Sequence, residues 1–193
     1  MPKIVTDLEK QRVKDVMFDS VITLLKVKNI KKITVDDIVK MTGISKGSFY
    51  LYYKSREELL YNVLKHCESK MFNSLLQLSN DECEKHEKIK KALYEIYLAK
   101  DSIILYVTQS EYQSLLRKLP SDVYEKEKQK STNYFEEAMA FFDIDPEHIE
   151  LNVLSQLMDA LVFVANNHDN HYAEGRPAAL QIIVNTIADY IIS

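Results

Sequence analysis

Apolar residues recur along the chain at spacings of three and four, and runs that alternate apolar with polar are almost absent, which predicts an all-helical protein. Val13, Val16, Met17, Val21, Leu24 and Leu25 make one helical stripe that ends near the basic stretch KVKNIKK. Thr34-Val35-Asp36-Asp37 reads as an N-cap with an acidic third residue. The short helix it opens runs through Met41, with Val35, Ile38 and Val39 facing inward. Thr42-Gly43-Ile44 then breaks the pattern. Ser45 can cap a third short helix, and Ser55 with Glu58 makes an S-x-x-E box that opens a long fourth. Beyond residue 80 the spacing predicts amphipathic helices over about 84–99, 101–118, 120–142, 146–167 and 176–192. Pro120 and Pro146 fall where a first helical turn tolerates proline, and Gly175 with Pro177 separates the last two segments. No repeat or low-complexity tract intervenes, so the fourth helix is expected to join head and body without a flexible tether.

Two short helices joined by a glycine-containing turn match the helix-turn-helix pattern, here TVDDIVKMTGISKGSFYLYY. Positions 49 and 53 are one turn apart, so Phe49 and Tyr53, with Ile44, are expected to pack on Ile38, Val39 and the first helix. Lys46 and Tyr50 then share the opposite face, with Gly47 and Leu51 beside them and Ser48 and Tyr52 flanking. Such a face suits a DNA major groove. Lys46 can attract phosphate or donate to guanine O6 and N7, and the hydroxyls of Ser48, Tyr50 and Tyr52 can donate to phosphate oxygens. Gly47 removes a side chain where backbone must approach closely. Amides near Thr34 and Ser45 point toward an anion, and Lys54 and Arg56 extend the phosphate contacts. The competing reading has the tyrosines covering a small core and the lysines solvated.

Charge alone does not decide between these readings. The net charge of -4 hides 12 Lys+Arg against 6 Asp+Glu in residues 1–56 and 13 against 23 in the remainder. A basic head on an acidic body is the layout expected when only the head meets a polyanion. At 193 residues and 46% hydrophobic composition the chain can bury a sizeable core. Cys67 and Cys83 lie in no C-x-x-C pair, so neither a disulfide framework nor a zinc module is indicated. The N-terminus MPKIVTDLEKQR is charged where a secretory signal needs an apolar run, and no run of 18 apolar residues occurs. A soluble, cytoplasmic protein with no membrane partner is expected.

Catalytic chemistry is weakly represented. His66 and Cys67 are adjacent, so on a helix they point about 100° apart and do not face each other. No orienting acid accompanies them, and no catalytic residue or enzyme activity is assigned. His168 and His171 stand three apart beside Asp169, but a polar loop accounts for them; no metal site and no cofactor is assigned.

The stretch ITVDDIVKMTGISKGSFYLYYKSREELLYNVL strongly resembles the DNA-binding domain of the TetR family of bacterial transcriptional regulators. That family's pattern runs from a capped Thr through G-[IV]-S-K-G-[ST]-[LF]-Y to Y-x-K-[ST]-[KR]-E-x-L, and the likeness covers about residues 8–64 without a gap. The resemblance implies phosphate-contacting positions at Thr34, Ser48, Tyr50, Tyr52 and Arg56, and base-contacting positions at Lys46, Gly47 and Leu51. Leu51 departs from the larger or polar side chains of many members; it can meet a thymine methyl but cannot donate a hydrogen bond.

The resemblance also implies a division into residues 1–55, a helix-turn-helix DNA-binding domain, and 56–193, a helical effector-binding and dimerisation domain. Segment 146–167 is apolar on every side, which requires cover on both. A homodimer is therefore expected through Leu154, Leu161, Val162, Ile183, Ile187 and Ile191, placing two heads on a pseudo-palindromic double-stranded DNA operator; one large monomeric core is the other reading of the same residues. A small-molecule effector, hydrophobic or amphipathic by the resemblance, is expected among Tyr94, Tyr97, Tyr106, Tyr112, Phe135, Met139 and Phe163, for which plain core is the other reading. Repression is the implied role. The alternative is a DNA-bound protein-interaction module of the same fold with no effector.

Overall fold

The computed structural model describes residues 6–79, 82–99, 102–130, 139–166 and 173–193. Regular structure among them is helical, as the spacing predicts. Helices α1 (Asp7–Leu25), α2 (Val35–Thr42), α3 (Lys46–Tyr52) and α4 (Arg56–Ser79) come first, with a 3-10 turn at Ile30–Lys32. They are followed by α5 (Lys85–Leu93), α6 (Gln109–Leu116), α7 (Ser121–Lys130), α8 (Leu151–Asn166) and α9 (Arg176–Ile192).

Local chemistry sets the helix starts. Thr6 with Glu9, Thr34 with Asp37 and Thr108 with Glu111 form reciprocal capping boxes, in which the threonine hydroxyl and the acid each satisfy an amide of the open first turn. At α4 the box is offset by one residue. The Glu58 amide donates to Ser55 Oγ at 3.1 Å, while the Glu58 carboxylate accepts from the Lys54 amide at 2.6 Å. Helix α2 stops at Gly43, whose φ of +73° is a left-handed conformation that costs glycine little.

Three segments depart from the predicted helices. In 101–118 a 3-10 turn occupies Ile103–Leu105 and α6 begins only at Gln109, because the Thr108 box nucleates there. In 146–167 Asp145 accepts the Glu147 amide at 3.0 Å and winds Pro146–His148 into a 3-10 turn, delaying α8 to Leu151. Helix α5 ends in a π-helical turn, Tyr94–Leu98, closed by the Ala99 amide on the Tyr94 carbonyl at 2.7 Å.

The chain divides into two compact units. One comprises the residues through Cys67 together with Tyr106–Tyr124; the other comprises Glu68–Leu105 and Glu125–Ser193. In the first, Met17, Val21, Ile30, Ile33, Ile38, Phe49, Leu59, Leu60 and Val63 are buried, as are Leu115 and Leu116 of α6. Each such side chain contributes about 1.5–3 kcal/mol when fully removed from water. Val16 is exposed despite its place in the predicted stripe; the buried face of α1 runs through Met17, Ser20, Val21 and Leu25. In the second unit Ile89, Leu93, Met139, Ile144, Ile149, Leu154, Leu161, Val184, Ile187, Ala188 and Ile191 form one core. Helix α9 packs on both α8 and α5, and His86 Nε2 lies 2.8 Å from Asp189 Oδ1 at the α5–α9 contact.

Candidate nucleic-acid interface

The turn between α2 and α3 aims the recognition face. Ser45 caps α3, accepting the Ser48 amide at 3.0 Å, and the Ser45 and Ser48 hydroxyls lie 2.9 Å apart. Below, Phe49 is fully buried and Tyr53 nearly so, their ring centroids 6.4 Å apart. Burial pushes the Tyr53 phenol up to about 12. These anchors turn the rest of α3 outward: Lys46, Gly47 and Tyr50 are exposed, and Leu51 is 85% exposed. The Tyr50 ring meets Phe49 edge-on at 5.2 Å, which fixes its direction. Tyr52 and Ser48 are half-buried at the margin, and Lys54 is exposed.

Capping residues hold this surface in place. Asp37 accepts from the Thr34 amide (2.7 Å), the Thr34 hydroxyl (2.7 Å) and Lys28 Nζ (2.6 Å), and these contacts lower its carboxyl to about 2. Lys46 Nζ lies 2.7 Å from Asp36 Oδ1, a bond that raises the lysine's pKa above its ordinary value.

Arg56 is engaged otherwise than the resemblance implies. Its Nη1 donates to the carbonyls of Lys31 (3.2 Å) and Ile33 (2.7 Å), its Nη2 donates to Glu57 Oε1 (2.6 Å), and its side chain is 17% exposed. The guanidinium thus ties the 3-10 turn to α4 instead of standing free for phosphate. Asn29 and Glu111 support the same turn. Asn29 caps that same turn through the Lys31 amide (2.9 Å), and its Nδ2 donates to Glu111 Oε1. Burial alone would raise the Glu111 carboxyl, yet bonds from Thr108 and Asn29 hold it below the usual range. The T-x-x-E pattern at Thr108 signals the cap, but nothing in the sequence signals a partner 82 positions away.

Of the expected dimer residues, Leu154, Leu161, Ile187 and Ile191 lie in their own unit's core, where the inner side of α8 packs on α9. Val162 and Ile183 are half-buried. The outward apolar side chains are Leu151, Val153 and Phe163 (69% exposed) on α8, and Ile182 (65% exposed) and Ile192 on α9.

The expected effector residues are dispersed. Tyr106 and Tyr112 belong to the first unit, whereas Tyr94, Tyr97, Met139 and Phe163 belong to the second. Met139 is core, Tyr97 packs against that core with its phenol pKa raised by burial, and Phe163 is exposed. Phe135 lies outside the described residues, as do His168 and His171. Tyr94 lines an open groove of about 700 Å³ with Ser74, Gln77, Leu78, Lys91, Glu95, Leu98 and Ala99, a volume that suits a drug-sized molecule. Among the described residues no helix is long and apolar enough to cross a membrane.

Comparison with known proteins agrees with this geometry. Residues 22–63 match the family model of bacterial regulatory proteins, tetR family. Over 141 residues, 72% of this chain and 73% of the relative, the sequence is 28% identical to the biofilm operon icaADBC HTH-type negative transcriptional regulator IcaR of Staphylococcus epidermidis. The fold is similar to that of a TetR transcriptional regulator from Streptococcus agalactiae, with a TM-score of 0.53, 21% identity and coverage of 94% of this chain and 96% of that one. A TetR-like transcriptional regulator from Rhodococcus is similar with a TM-score of 0.50 and 18% identity, covering 93% and 92%. These structural likenesses concern the fold over nearly the whole chain.

Proposed function

Since the chain belongs to the TetR family of bacterial regulatory proteins and is a transcriptional regulator, we propose that it is a repressor that binds a pseudo-palindromic operator as a cytoplasmic homodimer and leaves it when a small hydrophobic or amphipathic effector binds. The carrying observation is the α3 face, where Lys46, Gly47, Tyr50 and Leu51 stand outward over a buried Phe49. Residues 1–55 act as the DNA-reading domain and 56–193 as the effector and dimerisation domain. Thr34, Ser45, Ser48, Tyr52 and Lys54 contact or frame the phosphates, Lys46 and Leu51 meet base edges, and Arg56 holds the turn that positions them.

Effector binding is proposed at the Tyr94 groove, whose mixed lining of Lys91, Gln77, Leu78 and Leu98 suits a molecule with one polar end. Groove residues Ser74, Gln77 and Leu78 lie on α4, the helix that also carries Arg56 and Glu58. A ligand that favours one placement of α4 would change the spacing of the two heads relative to successive major grooves. The negative regulation in the name of the Staphylococcus epidermidis relative supports repression here.

The test is selection of fragments of the source genome by the purified protein at low and moderate salt, beside a Lys46→Ala/Tyr50→Ala variant. Phosphate-only binding fades steeply with salt, whereas a specific site survives. A salt-resistant pseudo-palindrome that the variant fails to select is the expected result. Uniform enrichment by both proteins would sink the proposal.

A further inference from the structure

Asp36 places an acid on a surface that is to meet a polyanion. Its neighbour Asp37 has a local duty, capping Thr34 and pairing with Lys28. Asp36 makes no such cap; its Oδ1 instead lies 2.7 Å from Lys46 Nζ, spanning α2 and α3. The two side chains are 71% and 59% exposed, so the pair stands in solvent on the face that carries Tyr50 one turn further along α3. A free lysine there would be drawn to any backbone phosphate, a contact that carries no sequence information. Beside Asp36 the balance differs, because a phosphate brought to Lys46 also approaches the carboxylate and is repelled by it. An ammonium has three donors, and with one on Asp36 it keeps two for the O6 and N7 acceptors of guanine, an uncharged edge that the carboxylate does not repel.

Resting on the reading of α3 as a base-reading helix, we propose that Asp36 is a specificity-determining residue that reserves Lys46 for a guanine edge by weakening its attraction to phosphate. It acts through Lys46 and is in that sense a positioning residue.

The experiment uses the full chain and two duplexes of equal length: the salt-resistant site selected by the wild type, and a scrambled version of it. Wild type, Asp36→Asn, Asp36→Glu, Lys46→Met and the Asp36→Asn/Lys46→Met double variant are titrated over a range of KCl. Asp36→Asn is expected to tighten scrambled binding about 3–10-fold and to steepen its salt slope by about one, equivalent to one added phosphate contact. The ratio of specific to scrambled affinity should fall about 10-fold, Asp36→Glu should retain most of it, and adding Asp36→Asn to Lys46→Met should leave the slope nearly unchanged. An unchanged ratio in Asp36→Asn, or an equal change in the Lys46→Met background, overturns the role of Asp36 alone. Absence of any salt-resistant site for the wild type overturns the base-reading helix and this role with it.

Discussion

Phe49 and Leu51 are two positions apart and have opposite fates, one fully buried and one almost fully in water. Phe49→Ala should destabilise the protein by about 3–5 kcal/mol, as deletion of a core aromatic does. Leu51→Ala should stay within roughly 0.5 kcal/mol of wild type in urea unfolding, yet lose discrimination at a thymine in the operator. Comparable losses of stability in both variants would contradict the outward placement of Leu51. The difference between these residues was legible in the sequence, because positions 49 and 53 share a face that 46 and 50 do not. The role of Arg56 was not, since its partners are the backbone carbonyls of Lys31 and Ile33, and every residue has a carbonyl. Likewise the apolar spacing of Leu154, Leu161 and Ile187 announced burial without saying whether α9 or a second subunit supplies the cover.

At the scale of the element, α2 is held by the acid of its capping box. The Asp37 carboxyl falls from its ordinary 3.8 to about 2, the Lys28 bond contributing most and the Thr34 bonds next. A depressed folded-state pKa means stabilisation that is fully present above the unfolded value and is lost as pH falls through the folded one. Wild type should therefore exceed Asp37→Asn in urea midpoint at pH 6, lose that lead between about pH 4 and pH 2, and converge with it below. A constant gap down to pH 2 would show that the charge on Asp37 is not what holds the cap. Boundaries with side-chain caps were readable in this way, at Thr34 and Ser45 above all. The late start of α8 was less readable, since Pro146 is tolerated equally in the first turn of an α-helix and in the 3-10 turn that forms.

For the whole molecule, the outward apolar residues of α8 and α9 are the test of assembly. Phe163→Arg and Ile182→Arg should each leave the fold intact, because both side chains are largely exposed, while turning the proposed dimer into a monomer at micromolar concentration in sedimentation. Operator affinity should drop on the order of 100-fold or more, since the two half-sites then bind independently. Variants that remain dimeric would place the subunit contact elsewhere.

The tie between Asn29 and Glu111 has a consequence for how the protein is made. The compact unit that carries the recognition helix is discontinuous in the chain: residues through Cys67 are synthesised first, and Tyr106–Tyr124, which brings Glu111, Leu115 and Leu116, comes later. At about 5–20 residues per second, a ribosome needs on the order of 3–11 s to travel from residue 67 to residue 124. During that interval Asn29 is without the Glu111 carboxylate that it meets in the folded unit. A chain clipped or stalled before residue 106 lacks both the Glu111 carboxylate that Asn29 meets and the Leu115 and Leu116 side chains buried in the same unit.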